Sequence, residues 1–192
     1  MAQIITEEEK AFKQDLGILG ESVLKKIEGL LNKMGVSQEY FNFIETTLLF
    51  IGVVLISLVL WWVTRKILVQ LIYTFASKSK TKWDDYLVEK NFFSAISHLV
   101  PLIFMDSFIR VVFFNFYKTG VFLMKVTDVA IVFVILLAIV RFLSAFEKVL
   151  SEKESLKDKP IQSYFQLLKI IVTGFMIILG LSIATGQSPI YF

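Results

Sequence analysis

The stretch Thr46–Val63, TTLLFIGVVLISLVLWWV, contains no charged residue. As a helix, a run of this length approaches the roughly 20 residues that cross the hydrocarbon of a bilayer. In lipid the backbone must satisfy its own polar groups, so a lone run of this kind is read as a helix. It closes on Trp61 and Trp62, followed by Arg65 and Lys66. Rings beside cations mark the lipid–water boundary, so the tryptophan pair reads as an interface anchor.

Three further runs have the same character. They cover about 92–116, with Pro101, Asp106 and Arg110 inside; about 121–140, with Lys125 and Asp128 near its start; and about 165–185, with Lys169, Gly174 and Gly180. The expectation is an all-α integral membrane protein with spans at about 46–63, 92–116, 121–140 and 165–185. An amphipathic segment, 1–45, precedes a membrane domain, 46–192. Composition agrees: 56% of residues are hydrophobic, 19 are Phe, and mean hydropathy is +0.69, more apolar than a soluble domain.

Composition also excludes chemistry. With no cysteine there are no disulfides, thiolate metal sites or Cys nucleophiles. His98 is the sole histidine, which nearly removes His-based metal sites and triads. There is no phosphate-cradling Gly loop and no HExxH. The chain is therefore expected to be no enzyme and to use no cofactor. A net charge of +3 is too small to point to nucleic acid. The acidic start, MAQIITEEEKAF, lacks the basic-then-apolar pattern of a cleaved signal peptide.

Basic residues matter through their position. Segment 64–91 holds Arg65, Lys66, Lys78, Lys80, Lys82 and Lys90, and segment 141–164 holds Arg141, Lys148, Lys153, Lys157 and Lys159. The turn between the second and third spans holds only Lys118. Both basic loops are placed in the cytoplasm, with the N-terminus and Phe192 outside. The N-terminal 45 residues carry eight acidic side chains against five Lys, compatible with translocation.

In that segment Ile5, Phe12, Leu16, Leu19, Val23, Ile27, Leu30 and Met34 recur at spacings that share one helix face. Gly35 with Val36 and Ser37 reads as its stop. The stripe fits the outer leaflet, a neighbouring subunit or the chain's own first span equally well. Beyond the first span, SKSKTK at 77–82 breaks the helix. Thr81 followed by Asp84 is a capping-box pattern, Asp84 and Asp85 suit the positive end of a helix dipole, and Trp83 is placed at headgroup level. Residues 83–116 read as an interfacial approach leading into the second span. Segment 147–165 reads as a charged connector, with Pro160 starting the fourth helix.

Asp106 and Arg110 are four apart and share a helix face. A lone charge at mid-bilayer costs about 2.5–3.5 kcal/mol on insertion scales, and a pair costs less. An intrahelical structural pair, near Asp128 or Lys125, is favoured over a proton or ion relay. Lys169 snorkels. His98, sharing a face with Ser94 and Ser97, reads as a packing donor. Pro101 removes one backbone donor, which makes it a hinge or a simple bend.

Two stretches resemble one family. KTKWDDYLVEKNFFSAISHLVPLIFM (80–105), through Thr81, Lys82, Trp83, Asp84, Asp85, Leu87 and the HLVP at His98–Pro101, resembles the segment between the first two spans of the five-span, YbdG-type branch of MscS-like mechanosensitive ion channels. KPIQSYFQLLKIIVTGFMIILGLSIATGQSPIYF (159–192) resembles the span before that family's pore helix, ending in its turn at Gly186, Ser188 and Pro189. The resemblance covers roughly 45–192. It implies a homo-oligomer, usually a heptamer, in the bacterial inner membrane. It also implies lipid-facing paddles that answer membrane tension under osmotic stress and open a path for ion transport. The pore helix and cytoplasmic vestibule are not in this sequence, so Phe192 is expected to be a cut at the approach to a fifth span. The competing expectations are a small four-span accessory or scaffold protein binding another membrane protein, and a small transporter built on Asp106 and Arg110.

Overall fold

The computed structural model describes residues 17–33, 35, 40–76, 83–156 and 159–192. Among them every regular element is helical. The order is α1 (Gly17–Lys33), α2 (Phe41–Ala76), α3 (Trp83–Glu89), α4 (Phe92–Ile96), α5 (Leu99–Val112), α6 (Tyr117–Ser151) and α7 (Ile161–Thr185). Single 3-10 turns follow at Glu154–Leu156 and Pro189–Tyr191. Four stretches are long and apolar enough to span a bilayer: Phe41–Gln70, Phe92–Val112, Tyr117–Ser151 and Ile161–Thr185. The chain is an all-α, multi-pass membrane protein.

α2 runs on as helix past the apolar stretch to Ala76, as expected, whereas the third span differs from the sequence reading in length and the second in form. At 1.5 Å per residue α2 and α6 are each about 50 Å long, well beyond a hydrocarbon core of about 30 Å, so both continue past the stretch that hydropathy marks. Residues 147–151, expected in a connector, are the last turn of α6, and the connector shrinks to 152–160. The second span is not one helix over 92–116. It breaks at Ser97 and His98, between α4 and α5, and the helix ends at Val112. Pro101 gives the reason. It has no N–H to offer the Ser97 carbonyl, and its ring crowds that carbonyl. The His98 N–H turns back instead to the Ala95 carbonyl at 3.1 Å, and the bond from Leu102 N–H to the His98 carbonyl stretches to 3.4 Å.

The packing is that of helices in lipid. α5 lies between α2 and α6, and α7 runs along α6. On α6 the buried residues are Gly120, Thr127, Ala138 and Ala145. Their intervals are all close to whole numbers of turns, so four small side chains line one face and let neighbouring backbones approach. On α2 the buried line is Leu49, Val53 and Ser57, one turn apart each. Buried hydroxyls bond back to their own helix: Ser57 Oγ to the Val53 carbonyl at 2.8 Å, Thr127 Oγ1 to Leu123 at 2.9 Å. Much of the apolar surface described on α2 is exposed, as at Leu48, Ile51, Leu55 and Leu58. In lipid such a surface needs no further cover.

Part of α1 meets the chain's own fold: Leu24 and Ile27 pack on the cluster of Leu49, Val53 and Val112, on α2 and α5. Val23 and Leu30 of the expected stripe are exposed. Ile5, Phe12, Leu16 and Met34 lie outside the described residues.

Candidate functional site

The densest polar chemistry sits where α3 and α4 meet the far end of α6. Asp84 and Asp85 occupy the first turn of α3; Thr81, expected to cap it, lies outside the described residues. The ion-pairing carboxylate is Glu89, which takes Lys148 Nζ of α6 at 2.7 and 2.9 Å. Among the described residues neither Asp84 nor Asp85 forms an ion pair. One turn before Glu89, the buried Tyr86 donates its hydroxyl to Glu152, and Lys148 also lies 4.9 Å from the Tyr86 ring. Trp83 stacks on Phe146 at 5.0 Å and tilts toward Phe142 at 6.3 Å. Its ring is half-buried against α6.

The loop to α4 completes this clamp. Asn91 adopts left-handed backbone (φ 56), which Asn tolerates better than most residues. Its carbonyl accepts Arg141 Nη1 at 2.8 Å. Glu147, one residue before Lys148, takes Lys169 Nζ of α7 at 2.6 Å. Lys169, expected to snorkel, is therefore paired. Hydrogen bonding from Lys148 holds the Glu89 carboxyl below the usual carboxylate range. The hydrogen bond to Glu152, then burial and nearby carboxylates, pushes Tyr86 up from 10.0 to about 12.

Just above the clamp is the helix break. The fully buried Ser97 donates Oγ to the Ser94 carbonyl at 2.8 Å. His98 donates Nδ1 to the same carbonyl at 2.6 Å and lies 6.0 Å from the Trp61 ring. Trp61 is half-buried with Arg65 5.6 Å above it; Trp62 is exposed with Lys66 at 5.2 Å. Each ring carries a cation one turn on, a cation–π pair at the boundary.

The other end of the bundle holds the intramembrane charges. Asp106 and Arg110 are one turn apart on α5, and Asp106 Oδ1 is buried without a hydrogen-bond partner. Asp128 of α6 lies within electrostatic reach of it. At the base of α2 the buried Glu45 accepts Asn115 Nδ2 at 3.2 Å. At the chain's end Gly186 closes α7 in left-handed backbone (φ 73), and the Ser188 side chain caps the turn that Pro189 begins. Ile190 and Tyr191 are exposed there.

Sequence reasoning singled out Trp83, Asp84 and Asp85 but missed Tyr86, Glu89, Arg141, Lys148 and Glu152. The available signal was the one-turn spacing of Tyr86 and Glu89 beside Trp83; their partners sit too far along the chain to be read. No group of His, Asp and Glu among the described residues is placed to hold a metal.

No family model, no curated protein and no solved structure matches the chain. The resemblance to the YbdG-type branch of MscS-like channels is corrected accordingly: the TKWDD and HLVP stretches do not carry a family match. With it go the heptamer, the pore helix and the vestibule that only the resemblance implied. What stands is a multi-pass helical membrane protein with four apolar spans.

Proposed function

We propose that this four-span unit is a non-enzymatic sensor of bilayer tension. It would shift a gating equilibrium in the manner of the sensing part of a mechanosensitive ion channel. The reading rests on one arrangement and on no family. A second span broken at Ser97 and His98 joins an interfacial arm, α3–α4, that is clamped to α6 by Glu89–Lys148, Tyr86–Glu152 and Asn91–Arg141. With the arm clamped, the hinge at Ser97 and His98 is where α5 would tilt, against its packing on α2 and α6. Tension thins and widens the bilayer, so it favours whichever tilt suits a thinner core and fills more area. Lysine and arginine in 64–91 and 141–164 support a cytoplasmic arm and an outer N-terminus, as in a bacterial inner membrane.

The test is the distance between spin labels at Val88→Cys on α3 and Ser107→Cys on α5, both exposed positions. Without native cysteines the labels are specific. The distribution shifts between long-chain and short-chain bilayers; identical distributions would sink the reading.

A second reading has its own observation. α7 packs on α6 and leaves Tyr164, Leu167, Ile170, Ile171 and Phe175 exposed, with open space at Gly174. A bare face with a glycine notch suits helix–helix association, with a second copy or another membrane protein. An accessory role predicts that Gly174→Leu abolishes co-purification of that partner and leaves the label distance unchanged.

A further inference from the structure

A groove of about 420 Å³ opens between α2, α5 and α6. Its walls are Val54, Leu58, Leu102, Met105 and Val134, with Trp61 and His98 also lining it. That size falls within the usual range for a small-molecule site. The lining is apolar, and no polar atom opens into the groove. Trp61 Nε1 is itself buried, so Trp61 presents its apolar ring surface, and not its N–H, to an occupant.

The surroundings of Trp61 say what kind of occupant fits. One turn along α2, Arg65 lies over the Trp61 ring and lines a second hollow of about 140 Å³ with Asn91 and Ser94. No carboxylate among the described residues pairs with Arg65. Lys66 adds a second exposed cation beside it. Along one helix the order is cation and polar hollow, then an indole ring, then an apolar groove. A phospholipid presents phosphate, then its glycerol esters, then acyl chain in the same order.

We propose that this groove binds one acyl chain of an anionic phospholipid from the leaflet on the basic-loop side. Arg65 holds the phosphate, and the Trp61 ring packs against the start of the acyl chain. The charge on Arg65 selects an anionic headgroup over a zwitterionic one. The site stands whether or not the chain senses tension.

The full chain carries three tryptophans. Trp62→Phe with Trp83→Phe leaves Trp61 as the only reporter. The protein is placed in phosphatidylcholine vesicles containing an equal fraction of either chain-brominated phosphatidylglycerol or chain-brominated phosphatidylcholine, and quenching is compared. Phosphatidylglycerol quenches with a preference of about five-fold, the value for one basic side chain at an anionic surface. Arg65→Gln removes the preference, and Leu102→Phe, which narrows the groove, lowers quenching by both lipids. Added inorganic phosphate changes nothing. Equal quenching by the two lipids means ordinary surrounding lipid and overturns the proposal. Loss of the preference on adding phosphate reassigns Arg65 to a free anion and also overturns it. Shielding of Trp61 from both lipids that grows with protein concentration puts a second copy in the groove and overturns it as well. Should the double variant not fold, native mass spectrometry of the wild-type chain replaces it. Retained phosphatidylglycerol that Arg65→Gln loses supports the site, and no retained lipid contradicts it.

Discussion

Tyr86 and Glu89 fix the pH range in which the clamp holds. Glu89 titrates below its ordinary range because Lys148 bonds to its charged form. Its contribution is complete above that range and is lost as pH falls through the depressed value. Tyr86 is displaced upward, so its contribution is complete below pH 10 and is lost as pH rises through about 12. A spin label at the exposed Asp85→Cys therefore stays immobilised across neutral pH and loosens at both extremes. Glu89→Gln loosens it at neutral pH and flattens the acid limb; a label indifferent to both would remove Glu89 from the clamp. Gly186 is a second residue with a narrow tolerance. Its φ of 73 disfavours a side chain, and a Cβ there would meet Lys125 Nζ at 3.4 Å. Gly186→Ala should cost about 1–2 kcal/mol, read from unfolding in mixed micelles. Little of this chemistry was legible in the sequence. Asp84 and Asp85 stand out as a pair beside Trp83, yet pairing falls to Glu89. Tyr86 meets Glu152 across 66 residues, and no local spacing encodes that.

Among the elements, α6 and the broken second span matter most. The stripe of Gly120, Thr127, Ala138 and Ala145 lets α6 lie close to its neighbours, and Ala145 is completely buried. Ala145→Leu should destabilise by about 1–3 kcal/mol through overpacking, measured by the same unfolding. Leaving the stability unchanged would mean that the stripe faces space. Pro101→Ala gives residue 101 an N–H for the Ser97 carbonyl. It should add about 0.5–1.5 kcal/mol of stability and damp the response of α5 to bilayer thickness. A stabler protein with an undamped response would place the hinge elsewhere. Hydropathy showed where the spans are because lipid selects apolar side chains. It did not show where α6 ends, since backbone hydrogen bonds continue past Val140 into a charged stretch. Nor did it show the break before Pro101, where proline also allows a simple bend. Glu147 and Lys148 look like loop charges in sequence; in the fold they are paired with α7 and α3.

For the whole molecule, the arrangement divides into a polar, clamped base and an apolar upper bundle cored by Leu49, Val53 and Val112. Arg141, Lys148 and Lys169 gather at the base with their carboxylate and carbonyl partners, on the side marked by the basic segments. If that side is cytoplasmic, an impermeant maleimide added outside intact cells labels Lys118→Cys and spares Ser151→Cys; the reverse pattern inverts the topology. The central claim is that tension moves α5 against a base that stays fixed. The direct measurement is the distance between labels at Val88→Cys and Ser107→Cys in vesicles swollen by an osmotic downshift, with a Val88→Cys and Ser151→Cys pair as reference. Swelling is expected to shift the first distance reversibly and to leave the second unchanged. Two unmoved distances, or a reference pair that moves as much as the first, would contradict the claim.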